Sequence, residues 1–335
     1  MLHHITRAKL IVSVLTVLPV SVFADVYKCL DQQNKVLYQD RPCQKLTSAQ
    51  LPPGLTERVP HDDKPPFLWK ATSAGGTVYL MGALPYGANA VYPLSDTITE
   101  ALSGADVLVV GADLRALTQA ELLPIAANLG TYSDNSKLRD HVKSATWERV
   151  DKAINALGIA EDAILAQKPW MAALSLMNRA AKQAGYTQEL SIDKRLVKDT
   201  QMQKPVLQLD SVEEQAKLLE GLTDNEQEQL LLQSLTVVER GDDYFKTLAD
   251  AWMKGDTSTV EQITRRRFET VPESDKIFKL LLVDRGGAMA EKIAELAADG
   301  RTYFIVLEVG YLVGEHGLPN LLRSRGFEIS RPRFE

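Results

Sequence analysis

Gly76-Thr-Val-Tyr-Leu-Met-Gly-Ala-Leu-Pro85 is an apolar run that glycine opens and proline closes. Thr77 to Met81 has the composition of a strand buried on both faces. A helix is predicted over 93–102, and Asp106-Val-Leu-Val-Val110 reads as a second buried strand. Strand, helix and strand in so short a span predict a parallel pair joined by a helical crossover.

Outward from that unit the pattern is mostly helical. Thr146 to Leu157 places Trp147, Val150, Ile154 and Leu157 on one face, and Pro169 to Ala184 is a longer apolar-rich helix. Helices are also predicted over 210–222, 226–240, 244–254, 259–268, 284–298 and 314–325, with strands at 205–209, 302–309 and 327–330. The expected fold is α/β, helix-rich, with a mainly parallel sheet over residues 67–335.

The first 24 residues read as a secretory signal peptide. Arg7 and Lys9 precede an apolar stretch of 14 residues, Leu10 to Phe23, and Ala24 offers a small residue for cleavage before Asp25. That stretch is short of the ~20 residues a membrane span needs, and no later segment is apolar enough to cross a membrane. Cleavage leaves 311 residues and takes the net charge from −6 to −8. A surface this acidic disfavours nucleic acid and anionic membranes as partners. Arg265-Arg266-Arg267 is a local exception, read as the solvated face of a helix.

Residues 25–46 form a small β unit. Val26 to Cys29 and Val36 to Tyr38 have strand composition, with a turn at Asp31-Gln-Gln-Asn34. A hairpin this short needs a staple, and in an exported chain Cys29 and Cys43 are expected to form a disulfide. Two free thiols, or a metal pair with ligands elsewhere, are the other readings. Tyr27, Lys28, Cys29, Asp31, Tyr38, Asp40, Pro42 and Cys43 together resemble a small uncharacterised domain that often follows signal peptides in Gram-negative envelope proteins. That resemblance implies an envelope location, periplasmic or secreted, and no activity. Residues 47–66, with Pro52, Pro53, Gly54, Pro60, Pro65 and Pro66, read as a linker.

Separated blocks over 67–331 resemble the TraB/GumN family, which includes the Tiki-type metal-dependent proteases. The blocks are Leu68-Trp-Lys70 with Gly76 to Gly82, Tyr92-Pro-Leu94, Asp106 to Val110, Ser191-Ile-Asp193, Lys204-Pro-Val206 with Leu209-Asp210, Arg285 with Met289 to Ile293, and Leu312 to Glu315. The resemblance implies a metal site built from a Gly-x-x-His at each of two strand ends and a glutamate after a third strand. Here Gly82 is followed by Pro85, the glutamate position is Gly111, and the second histidine is Tyr311. Where the family carries Arg-Asn, Arg285 is followed by Gly286, and Glu308 replaces a glycine.

The residues alone lead the same way. After the leader the histidines are His61, His141 and His316, with no local metal motif, no Gly-x-Ser-x-Gly elbow and no phosphate-binding glycine loop. Proline offers no donor, and a phenol is protonated at neutral pH. The expectation is a degenerate, non-catalytic member, without cofactor, that binds a peptide or an envelope protein. The alternative is a divergent peptide hydrolase holding a divalent ion such as Mn or Zn through Asp113, Glu308 and Glu315. Arg285 could hold a carboxylate ligand or pair with an acidic neighbour.

Overall fold

The computed structural model describes residues 27–30, 36–39, 67–112, 119–200 and 203–332. The chain divides into two compact units, Met1–His61 and Asp62–Glu335. In the first, β1 (Tyr27–Leu30) pairs antiparallel with β2 (Val36–Gln39), and Cys29 stands opposite Leu37. The leader, Cys43 with its expected disulfide, and the linker lie outside the described residues.

The strands of the second unit are β3 (Leu68–Ser73), β4 (Gly76–Ala83), β5 (Val107–Val110), β6 (Val206–Gln208), β7 (Thr302–Glu308) and β8 (Glu328–Ser330). Its helices begin with α1 (Asp96–Ser103), α2 (Gln119–Gly130), α3 (Ser144–Leu157), α4 (Asp162–Leu165), α5 (Pro169–Gln183) and α6 (Ile192–Thr200). They continue with α7 (Val212–Glu220), α8 (Asp224–Arg240), α9 (Asp242–Met253), α10 (Thr257–Glu269), α11 (Asp275–Phe278), α12 (Arg285–Ala297) and α13 (Leu318–Ser324). No described helix is long and apolar enough to cross a membrane.

The strands form one mixed sheet in the order β6-β5-β7-β4-β3-β8. It is parallel through β6, β5, β7 and β4, and antiparallel from β4 to β3 and from β3 to β8. The central parallel strands β5 and β7 are continuous apolar runs because they are buried: Val107 to Val110 and Tyr303 to Leu307 are almost free of solvent. Ile98, Leu196, Trp252, Ile293 and Leu322 bring α1, α6, α9, α12 and α13 onto this core. A second core joins α3, α5 and α8 through Val150, Trp170, Leu176, Leu231 and Leu235.

The expected fold class holds, with the sheet mixed rather than parallel throughout. The helix expected from Pro93 begins at Asp96, because Ser95 takes the extended N-cap conformation and Asp96 fills the first turn. The helix expected from Gly314 begins at Leu318, because Gly314 sits at φ +78° in a turn and Pro319 suits a first turn. A π-helical turn, Lys279–Asp284, runs directly into α12.

Two close approaches fix the chain beyond β4. A Cβ on Gly82 would lie 2.9 Å from Val309 Cγ2, and the Trp252 indole N–H donates to the Gly82 carbonyl at 2.7 Å. Gly87 and Thr187 exchange two backbone hydrogen bonds of 2.9 and 2.8 Å, and a Cβ on Gly87 would stand 1.7 Å from the Leu190 carbonyl oxygen. Only glycine fits there. Gly87→Ala is expected to cost about 3 kcal/mol or more by urea denaturation, in the range of severe backbone clashes. Gly287→Ala is the control: a Cβ there meets nothing within 4 Å. Being inside a helix, that change should be neutral or stabilise by up to about 1 kcal/mol.

Candidate functional site

Parallel pairing puts the C-terminal ends of β4, β5, β6 and β7 along one edge of the sheet, the edge where ligands of open α/β sheets bind. Register places Gly82 beside Leu307 and Ala83 beside Glu308, while Val110 pairs with Val306. Gly111 therefore emerges beside the end of β7, and a Cβ on it would lie 3.3 Å from Leu307 Cδ2. Pro85 and Tyr86 follow β4, and Tyr311 lies in the short 3-10 turn Val309–Leu312 after Glu308. Arg285 opens α12, its Cζ 5.9 Å from the Tyr311 ring centre. Gly286 is buried, with Tyr311 Cδ1 4.0 Å from where its Cβ would be. Gly82, Pro85, Gly111, Arg285, Glu308 and Tyr311, named from the sequence, are thus gathered at this edge. Asp113 lies outside the described residues.

Asp210 organises the charges. It follows β6, and its backbone N–H donates to the Gly111 carbonyl at 2.9 Å. Its carboxylate receives Arg285 Nη2 at 2.9 Å, Arg285 Nε at 3.2 Å and Lys292 Nζ at 3.0 Å, while Lys292 also donates to the Leu209 carbonyl at 2.7 Å. Of the two roles open to Arg285, the acidic neighbour is the one seen. Burial would raise the Asp210 carboxyl, but the hydrogen bonds from Lys292 and Arg285 outweigh it and hold it below the usual carboxylate value.

Tyr311 is a committed phenol. Its hydroxyl donates to the Leu281 carbonyl at 2.9 Å. Burial pushes it up to about 12, Arg285 opposes the shift and Glu308 adds to it. Tyr86 behaves alike: burial pushes it up to about 12, against a hydrogen bond with Gln188. Glu308 itself is exposed. Glu315 and His316 are also exposed, in the turn before α13, and line a pocket with Glu261, Phe278, Leu282 and Tyr311. Among the described residues no group of three or more His, Cys, Asp or Glu is placed to hold a metal ion. His141 lies elsewhere, stacked on Tyr132 with ring centres 4.0 Å apart. Its neighbour Ser136 donates its hydroxyl proton to Asp134 at 2.6 Å, so His141 does not draw that proton.

The triplet Arg265-Arg266-Arg267, expected on a solvated helix face, divides in the structure. Arg265 and Arg266 are exposed, but Arg267 is partly buried with its Nε shielded from solvent. Burial would lower it, while Tyr244, Glu308 and Tyr86 hold its proton more tightly. The signal was present in the helical period: Arg267 lies four residues after Ile263 and seven after Val260, both buried. Tyr86 and Tyr244 carried no such signal, because their neighbours come from distant parts of the chain.

A helix-covered mixed sheet with charged and phenolic side chains at its parallel C-terminal edge defines an α/β protein. A match to the TraB/PrgY/gumN family spans residues 67–331, and the chain belongs to that family. No curated protein and no solved structure matches it.

Asp210→Asn should test the clamp. Removing the charge leaves Arg285 and Lys292 uncompensated and should cost about 1–3 kcal/mol at pH 7, less than a fully buried pair. A carboxylate whose folded pKa is depressed stabilises above its unfolded pKa, and that contribution is lost as pH falls through the folded value. Denaturation curves should therefore separate the two proteins at pH 7 and draw together only as the pH falls below the usual carboxylate range.

Proposed function

We propose that this chain is a non-catalytic member of its family. It acts in the periplasm or outside the cell by binding a peptide or an envelope protein at the C-terminal edge of its sheet. The observation that carries this reading is the set of side chains at that edge that could hold a metal. Its donors are poor. Pro85 has none, Gly111 has no side chain, and the Tyr311 proton is engaged by Leu281. A hydrolytic metal site needs about three protein ligands and an open position.

The cleft is otherwise suited to binding. It combines partly buried aromatic rings with fixed charges, the mixture that orients a ligand without reacting with it. The exported location rests on the signal-peptide reading of residues 1–24 and on the envelope-domain resemblance of residues 25–46.

Protein purified without chelator or nickel affinity is expected to carry no stoichiometric metal by elemental analysis, and to leave a peptide library uncut with Mn²⁺, Co²⁺ or Zn²⁺ added. Stoichiometric metal with peptide cleavage, lost in Glu308→Gln or Asp113→Asn, would instead establish the divergent hydrolase with carboxylate ligands.

A further inference from the structure

Tyr311 belongs to two places. Arg285 stands 5.9 Å from its ring centre at the sheet edge, and the same residue lines a pocket enclosed by α10, the segment from α11 into the π-helical turn, and the loop after β7. Phe278, Leu282 and Val313 give that pocket apolar walls, and Glu261 and Glu315 give it two carboxylates. The walls are held in place from behind. Phe278 stands edge-on against Phe268 with ring centres 5.2 Å apart, and the Tyr311 hydroxyl is tied to the Leu281 carbonyl at 2.9 Å. Glu261 lies against the loop, since a Cβ on Gly314 would stand 2.9 Å from its Oε1.

The two carboxylates are only partly matched within the protein. Arg265 Nη2 lies 3.7 Å from Glu261 Oε1, beyond hydrogen-bond distance. Glu315 is exposed and forms no ion pair among the described residues. Two carboxylates against one guanidinium leave the pocket with room for a cation, and an anion would meet repulsion from both. The net charge of −6 over the whole chain draws cations from further away. A metal ion is not the cation indicated. His316 lines the same pocket, yet no group of three or more His, Cys, Asp or Glu among the described residues is placed to hold one. Apolar walls beside acid groups instead match a hydrocarbon stem that ends in a positive charge. The aromatic rings of Phe278 and Tyr311 favour the same charge.

We propose that this pocket seats a lysine or arginine side chain of the peptide ligand, its stem against Phe278, Leu282 and Val313 and its cation at Glu261 and Glu315. This rests on the reading of the sheet edge as a peptide-binding edge, which Tyr311 joins to the pocket, and adds a preference for a basic residue.

Calorimetric titration of the purified full chain tests it. The probes are the N-acetyl tripeptide amides Ala-Lys-Ala, Ala-Arg-Ala, Ala-norleucine-Ala and Ala-Glu-Ala, trialanine amide with a free amino terminus, and n-butylamine. The lysine or arginine peptide is expected to bind more tightly than the norleucine peptide, which keeps the stem and lacks the charge. Glu315→Gln, on an exposed residue, should weaken the basic peptide by about two- to fivefold, the scale of a partly exposed ion pair. Glu261→Gln should do the same, and neither should change the norleucine peptide. Glu269→Gln, exposed on the same helix and outside the pocket, should change nothing. Norleucine and lysine peptides binding equally, with both variants unchanged, overturns the cation seat and leaves the peptide-binding edge standing. A preference for lysine or arginine that neither variant reduces places the cation elsewhere and overturns the pocket. Trialanine amide matching the lysine peptide, with the same dependence on the glutamates, assigns the seat to a chain amine and overturns the side-chain choice. The Ala-Glu-Ala peptide binding most tightly overturns the sign of the seat. Glu315-dependent binding of n-butylamine but of no peptide keeps the seat and removes the peptide reading, and no binding of any probe overturns the seat.

Discussion

The parallel pairing of β4 with β7, from Thr77 beside Thr302 to Ala83 beside Glu308, governs the rest of the second unit. Strands that run the same way cannot be joined by a tight turn, so the chain between them must return across the sheet. The return carries helices α1 to α12 and both cores. It also brings residues from opposite ends of the chain to one edge. Gly82 makes the approach close enough, since any side chain there would meet Val309. Trp252 closes the Gly82 carbonyl that the end of the strand leaves unpaired.

At that edge, charge is distributed rather than concentrated. Asp210 binds two cations from α12 and ties the end of β6 to that helix. Its backbone is bonded to Gly111, so the clamp stands beside the position where the family resemblance expects a glutamate. Tyr311, where the family resemblance expects a histidine, has a ring that packs under Arg285 and a hydroxyl bound to the Leu281 carbonyl. These contacts are satisfied within the protein. They stabilise a finished structure, and Glu308, Glu315 and Arg267 are among the nearby charges that form no ion pair with a described residue.

The sequence made much of this readable. The buried strands at Thr77 to Met81 and Asp106 to Val110 were plain because both faces of each are covered, so apolar residues run without alternation. The amphipathic helices α3, α5, α8 and α12 were plain for the corresponding reason, one apolar face each. The antiparallel strand β3 was harder: Leu68 to Ser73 mixes Trp69, Lys70 and Thr72, and its identity comes from pairing with β4 on one side and β8 on the other. α2 was hidden by Pro124 within it. The cleft positions came from the family resemblance and not from composition or spacing, and their interactions were not legible at all. Asp210 and Arg285 are far apart in sequence, and nothing local joins Tyr86 to Arg267. Such contacts exist only once the sheet is assembled.

The central claim is that cations and phenols occupy the sheet edge in place of a metal centre. A crystal soaked in Mn²⁺ and measured at an anomalous wavelength tests it most directly. No anomalous peak is expected around Pro85, Gly111, Glu308 and Tyr311, with Arg285 still on Asp210 and Arg267 still beside Tyr244. A peak about 2.0–2.6 Å from the Glu308 carboxylate, the range of first-shell oxygen ligands, would contradict the account.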